Sequence, residues 1–90
     1  MKIELGEEIT IYSVQEIYDY LIFSLKEPFE ALTVDLTSLV ELDGAGLQLL
    51  ISLQKTCEIT NKKCHFIFSK SLKNNLDIFG IINVLDLEVR

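Results

Sequence analysis

The stretch of sequence that decides the fold covers residues 34–50 and reads Val34-Asp35-Leu36-Thr37-Ser38-Leu39-Val40-Glu41-Leu42-Asp43-Gly44-Ala45-Gly46-Leu47-Gln48-Leu49-Leu50. It begins inside the run Ala31–Leu36, which is nearly all apolar, as expected of a strand covered on both faces. A short loop follows. Asp43 then has the residue type that caps a helix, because its carboxylate can accept hydrogen bonds from free N–H groups. The stretch therefore predicts a buried strand, a loop and a helix that extends to about Ile59.

Two short strands and a helix are predicted before this stretch. Lys2–Leu5 and Glu8–Ile11 alternate polar and apolar residues, which predicts a pair of strands around a turn. Ser13-Val14-Gln15-Glu16 has the pattern of a capping box at a helix start. Pro28 ends that helix, and its apolar residues recur at helical spacing: Val14, Ile17, Tyr18, Leu21, Ile22 and Leu25.

The residues after the second helix predict a strand, a third helix and a last strand. Cys64–Phe68 is a continuous apolar run and is predicted to be a second central strand. Val84–Val89 alternates again, as expected of an edge strand. The third helix is predicted between these strands, with Gly80 at its C-terminal cap and an apolar side formed by Leu72, Leu76 and Phe79.

The order β-β-α-β-α-β-α-β predicts an α/β fold, with a mixed, mostly parallel central sheet flanked by helices. The strands Ala31–Leu36 and Cys64–Phe68 are expected to be neighbours inside this sheet, both buried on two faces. The first two strands are expected to form a hairpin, which supplies the antiparallel member.

Composition limits the class of protein. Ninety residues make a single domain, 1–90, and 49% hydrophobic residues indicate a globular chain. A net charge of −6 argues against nucleic acid and against anionic membranes as partners. Residues 1–43 carry ten acidic residues and two lysines, whereas the rest of the chain is net positive. This asymmetry fits two ordinary solvated faces, or a polarised molecule that docks in one orientation.

No segment of the sequence predicts a membrane or secretory location. No apolar run approaches the ~20 residues of a membrane span, and no signal peptide is visible. We therefore expect a cytoplasmic protein without direct membrane insertion. Cys57 and Cys64 are expected to be two reduced, half-buried thiols, in preference to a disulfide or a metal site.

The sequence has few residues that could do catalytic chemistry. His65 is the only histidine and lies in an apolar strand, where a structural role is expected. Asp35 and Asp43 could form a pair for acid–base or Mg²⁺ chemistry. The favoured alternative is that Asp35 ties down the loop and Asp43 caps the helix. No nucleotide-binding or nucleophile motif is present, so we expect no enzyme activity, no cofactor and no metal.

The segment from the Asp-Leu-Thr strand end to the Gly-Leu helix start resembles the signature of the STAS domain, a family named for sulfate transporters and anti-sigma factor antagonists. The order of elements extends the resemblance over essentially the whole chain. Asp35 and Asp43 match the acidic positions of the family, and Gly46-Leu47 matches its Gly-Leu. The resemblance implies a protein-interaction module of the bacterial anti-sigma factor antagonist kind.

One position departs from that family pattern. Antagonists commonly carry, at the position of Ala45, a serine that an anti-sigma kinase phosphorylates to release the partner. Alanine has no hydroxyl group, so this position cannot serve as the phosphoacceptor. Thr37 and Ser38 are the nearest upstream hydroxyls and are the alternative sites of modification.

The stretch Ala45–Leu50 also resembles STAS proteins associated with chemotaxis proteins and those of the MlaB type, which bind the ATPase of a lipid-transporting ABC complex. MlaB-type proteins tend to carry a hydroxyl residue where this chain has Gly44. Little chain is left for the helix that usually closes a STAS domain. The sheet face under that helix is a second candidate surface for a partner.

A helical wheel separates two faces of the second helix at about 100° per residue. Gly46, Leu47, Leu50, Leu53 and Cys57 are predicted to point inward. The outward face is an ordinary solvated surface or, as the family implies, a docking face; its expected partner-binding residues are Gly44, Ala45, Gln48, Leu49 and Ser52.

The function expected from the resemblance is non-enzymatic regulation of a protein partner. An anti-sigma factor or another histidine-kinase-like protein, or a chemotaxis protein, would fit this role. The alternative is an accessory subunit on an ABC transporter ATPase.

Overall fold

The computed structural model describes residues 1–71 and the backbone of residues 87–89. The elements in this part of the chain confirm the predicted α/β class. They are, in order, β1 (Lys2–Glu4), β2 (Glu8–Ile9), α1 (Val14–Ser24), β3 (Ala31–Leu36), β4 (Glu41–Leu42), α2 (Gly44–Ile59), β5 (Lys63–Phe68) and β6 (Leu87–Val89). The predicted third helix, with Leu72, Leu76, Phe79 and Gly80, lies outside the described residues.

The main sheet has four strands in the order β1-β3-β5-β6, and each neighbouring pair is parallel. β3 and β5 lie in its interior and run together from Ala31↔Lys63 to Leu36↔Phe68. Their predicted adjacency is therefore confirmed. β6 is at an edge, as predicted for the last strand.

Burial on the two faces of β3 and β5 is unequal. One face is the core, where Leu32, Val34, Leu36, Phe66 and Phe68 are each at most 1% exposed. Each such side chain contributes roughly 1.5–3 kcal/mol of burial free energy.

On the other face, Thr33, Asp35 and His65 are only half-buried, although Ile67 is buried. The prediction that both strands are buried on two faces is therefore wrong for this side. These polar side chains at alternate positions keep part of their surface in water, because full burial of a polar group costs free energy.

The first two strands do not form the predicted hairpin. β1 pairs in parallel with β3, whereas β2 pairs in parallel with β4 in a second, two-stranded sheet. Gly6, between them, has φ 81°, a backbone conformation that glycine adopts without steric cost. The carbonyl of Glu7 then accepts hydrogen bonds from the N–H groups of Val40 and Glu41. Every strand pair in the described residues is thus parallel, and the expected antiparallel member is not among them.

The predicted strand Glu8–Ile11 is shorter in the structure because the chain turns at Thr10. The Thr10 carbonyl accepts from the N–H groups of Ser13 and Val14, so the alternation ends and Ile11 faces solvent. Helix α1 begins at Val14 as expected, but without the predicted capping bond. The Ser13 hydroxyl instead accepts from the Thr10 N–H at 3.0 Å.

Helix α2 packs on the core face of the main sheet and against α1. The five residues predicted to point inward, from Gly46 to Cys57, are all buried. Gln54 is buried as well, which the wheel did not predict. The α2 residues in the core cluster are Leu47, Leu50, Leu53 and Cys57.

The start of α2 lies directly against the backbone of β2. A Cβ atom built on Gly46 would be 1.9 Å from the carbonyl oxygen of Ile9 and 2.7 Å from its carbonyl carbon. Ile9 itself is fully buried. Because the obstacle is backbone, no side-chain rotation can relieve it, and only glycine allows this approach.

We expect Gly46→Ala to lower the free energy of unfolding by about 2–3 kcal/mol, because the backbone of β2 or α2 must shift. Gly44→Ala is the matched control, since a Cβ at Gly44 has no neighbour within 4 Å. This control should be neutral or gain up to ~1 kcal/mol from helix propensity. Urea unfolding of both variants measures the difference. Equal free energies of unfolding for the two alanine variants would contradict the close approach.

Candidate functional site

The N-terminus of α2 is fixed by the side chain of Asp43. Asp43 has extended backbone, φ −111° and ψ −175°, and its Oδ1 accepts from the Gly46 N–H at 2.9 Å. Its carbonyl accepts from the Leu47 N–H at 2.9 Å, which is the first bond of the helix. Asp43 therefore has the predicted role of N-cap.

The second carboxylate oxygen of Asp43 reaches a different part of the chain. Oδ2 accepts from the Ile11 N–H at 2.9 Å, so the same side chain holds the loop after β2. The backbone hydrogen bonds from Gly46 and Ile11, the first the stronger cause, lower the pKa of Asp43 below its ordinary value. A carboxylate that accepts backbone N–H bonds is stabilised in its charged form. This bridge is a feature that sequence reasoning missed.

Asp35 is engaged separately. Its Oδ1 accepts from the hydroxyl of Thr37 at 2.7 Å and from the Thr37 N–H at 2.9 Å, and its Oδ2 lies 3.5 Å from the Nζ of Lys2. The bonds from Thr37, more than the charge of Lys2, lower the pKa of Asp35. Asp35 thus ties down the turn after β3, in agreement with the favoured alternative to a catalytic pair.

The predicted partner-binding residues lie together on the outward face of the first turns of α2. Gly44, Gln48 and Ser52 are exposed, whereas Ala45 and Leu49 are half-buried. Ala45 carries only a methyl group, so this face presents no hydroxyl until Ser52. Three of these five residues, Gly44, Ala45 and Ser52, have short side chains.

A groove lies between helix α1 and the outward face of α2. Leu49 and Ser52 belong both to the groove and to the predicted binding residues. Most of its other lining is apolar: Tyr18, Leu21, Ile22, Leu25 and Leu53, together with Thr56. The groove is therefore continuous with the outward face of α2.

Sequence reasoning also missed a set of exposed apolar side chains beside the start of α2. Ile11 and Tyr12 follow β2, and Val40 precedes β4; all three are exposed. The exposure of Ile11 was not predicted, because the alternation in Glu8–Ile11 assigns Ile11 to the same buried strand face as Ile9. An apolar pair, Ile11-Tyr12, between Thr10 and Ser13, two residue types common in turns, is the one sequence pattern that could have indicated an exposed turn.

Two cysteines and a histidine complete the set of side chains that the sequence singles out. Cys57 and Cys64 form no disulfide and are buried, not half-buried as expected, and burial raises the pKa of Cys57, which keeps it in the weakly nucleophilic thiol form. His65 is half-buried on β5, in register with Thr33. Within residues 1–71 and 87–89, no group of three His, Cys, Asp or Glu side chains could hold a metal.

We expect Asp43→Asn to lower the free energy of unfolding at neutral pH, because the charged acceptor for Gly46 and Ile11 is lost. The folded pKa of Asp43 is lowered, so its contribution is present above the unfolded pKa of about 3.9 and is lost as pH falls through the folded pKa. The gap between wild type and variant should therefore close in acid. Urea unfolding over a range of pH measures it.

The charge-matched control is Asp19→Asn, which removes a carboxylate that accepts from the side chain of Gln15. Its loss at neutral pH should be smaller. A gap for Asp43→Asn that is independent of pH, or no larger than that of Asp19→Asn, would contradict the bridging role of Asp43.

Comparison with models of protein families agrees with this arrangement. No curated protein matches the chain. The described helices include none that is long and apolar enough to cross a membrane. The family model for the STAS domain matches residues 1–86, which is almost the whole chain. The parallel sheet, the Asp35 turn and the Asp43-capped helix thus belong to a member of the STAS domain family.

Proposed function

We propose that the chain is a non-enzymatic regulatory module that binds a protein partner in the cytoplasm. It does so through the outward face of α2, formed by Gly44, Ala45, Gln48, Leu49 and Ser52 and called here the docking face. Membership of the STAS family supports a regulatory, antagonist-like role in general. The observation that carries the proposal is a helix start that is rigidly fixed yet left open to solvent.

Rigidity of the docking face comes from two contacts beneath it. The Asp43 carboxylate bonds to Gly46 and Ile11, and Gly46 lies against the backbone of Ile9. A surface fixed in this way loses little conformational entropy when a partner binds. Exposed Gln48 and Ser52 can then donate and accept hydrogen bonds at the interface.

The docking face lacks the phosphate switch that the family resemblance implies. Ala45 cannot accept a phosphate, so binding would be controlled by the amount or state of the partner. Thr37 is a poor substitute site, because its hydroxyl donates to Asp35 at 2.7 Å. A phosphate there would lose this bond and meet the carboxylate. Ser38 is exposed in the same turn. Phosphorylation of Ser38 is a weaker hypothesis than a module that is not modified at all.

Two classes of partner fit this role. A histidine-kinase-like protein, such as an anti-sigma factor, or a chemotaxis protein would make the chain a signalling regulator. An ABC transporter ATPase would make it a fixed accessory subunit, which is the alternative function. Both need a face such as this one, so the identity of the captured protein distinguishes them.

We expect Gln48→Arg to weaken partner binding at least tenfold, which corresponds to about 1.4 kcal/mol, because a long charged side chain enters the centre of the docking face. Folding should be unaffected, since Gln48 is exposed and arginine is a good helix former. Affinity capture from the native cells with wild-type and variant baits, followed by mass spectrometry and titration of the captured protein, measures the effect.

Gln15→Arg is the matched control. Gln15 is exposed on α1 and bonds only to Asp19 among the described residues, which an arginine can also pair with. Capture of the same protein should be unchanged for this variant. A partner that binds wild type and Gln48→Arg equally well would remove the docking face from the proposal.

A further inference from the structure

A second surface borders the docking face on the side of the two-stranded sheet. We call it the β2–β4 patch and define it by three apolar residues, Ile11, Tyr12 and Val40, and three acidic ones, Glu7, Glu8 and Glu41. Ile11 is 65%, Tyr12 93% and Val40 70% exposed. Such side chains are costly to leave in water, and a group of them beside a binding surface indicates a contact.

The patch is held in place by backbone hydrogen bonds, so its exposure is built into the fold. The Glu7 carbonyl accepts from Val40 N–H at 2.7 Å and from Glu41 N–H at 3.0 Å. At the other end, Asp43 holds the Ile11 N–H at 2.9 Å. Asp43 therefore joins the loop that carries Ile11 and Tyr12 to the start of the docking face.

Charge in the patch is concentrated between its apolar ends. Glu8 and Glu41 are exposed and in register on neighbouring parallel strands, which lie about 4.8 Å apart. Like charges placed opposite each other in a sheet are destabilising. The Glu8 carboxylate accepts a hydrogen bond from the hydroxyl of Thr10 at 2.7 Å. The ion pair found within residues 1–71 joins Lys2 to Asp35, so no lysine of this part of the chain pairs with Glu7, Glu8 or Glu41.

We infer that the partner of the docking face also covers the β2–β4 patch with a basic protein segment, in which lysine or arginine side chains are flanked by apolar ones. The basic side chains lie across Glu8 and Glu41 and relieve the repulsion within the sheet. The apolar side chains cover Ile11 and Tyr12 on one side and Val40 on the other. This inference rests on the proposed function and assigns the chemistry of the partner.

A peptide titration tests this chemistry even before the partner is identified. The ¹⁵N-labelled chain is titrated with a synthetic peptide that has a central Lys-Arg pair between leucines, and with a matched peptide in which Asp-Glu replaces Lys-Arg. We expect amide shifts at Glu8, Ile11, Tyr12 and Glu41 with the basic peptide, and no shifts at these residues with the acidic peptide. The exposed acids Glu16 and Asp19 of α1 provide the internal control for non-specific charge attraction. Shifts that are equal at α1, or equal for both peptides, would overturn the inference.

Reversal of the charges at Glu8 and Glu41 tests the same inference with the identified partner. This partner is the protein that wild type captures and that Gln48→Arg captures less well. Glu8→Lys combined with Glu41→Lys should weaken binding at least tenfold near 0.15 M salt, and should reduce its dependence on salt. The matched control is Glu27→Lys with Glu30→Lys, which makes the same change of charge at exposed positions near the other end of α1. The control should bind within about twofold of wild type, a difference of less than ~1 kcal/mol.

The two proposals fail in different ways. If Gln48→Arg abolishes binding but the reversal at Glu8 and Glu41 does not, the docking face stands and the basic partner segment is wrong. If neither variant changes binding, both proposals are wrong. A melting temperature measured for each variant shows whether folding is retained; that of the double variant should be slightly below wild type, because two lysines in register also repel and the hydrogen bond from Thr10 to Glu8 is lost.

Discussion

The close approach of Gly46 to the backbone of Ile9 is the constraint on which the rest of this structure depends. It brings the start of α2 against β2, and the backbone of β2 in turn pairs with β4. At this distance the Asp43 side chain can reach Gly46 with one oxygen and Ile11 with the other. A larger residue at position 46 would separate all of these groups.

Exposure at this junction follows from the same geometry. The Asp43 carboxylate accepts hydrogen bonds from the N–H groups of Gly46 and Ile11. Because these two N–H groups already have an acceptor, the chain around them can remain in contact with water. Helix α2 turns Leu47, Leu50 and Leu53 toward the sheet and leaves Gln48 and Ser52 outside. The hydrophobic core thus stabilises the domain from one side of α2, and the opposite side is exposed to solvent.

Much of this fold could be predicted from the sequence because its strongest patterns are local. The apolar runs of β3 and β5, the cap at Asp43 and the inward side of α2 each depend on residues close together in the chain. The pairing of β2 with β4 could not be predicted, because it joins segments about thirty residues apart and each strand has two residues. The short β2 and β4 carry too few residues for periodicity to indicate a partner strand.

The candidate site was predicted in part for a similar reason. Spacing on one helix was enough to group Gly44, Gln48 and Ser52, whereas Ile11, Tyr12 and Val40 join that surface only through hydrogen bonds between distant segments. The capping box at Ser13 was wrong because its hydroxyl bonds to Thr10, a local competitor that the pattern does not include. Side chain to backbone bonds in turns often compete with helix caps in this way.

Hydrogen–deuterium exchange of the chain, alone and bound to the partner, tests the central claim most directly. The claim is that the start of α2 and the loops fixed to it by Asp43 form the interface. We predict that binding slows exchange at residues 44–52, with additional slowing at residues 11–12 and 40–41. Slowing confined to β1 and the second half of α1, with residues 44–52 exchanging as in the free chain, would contradict it.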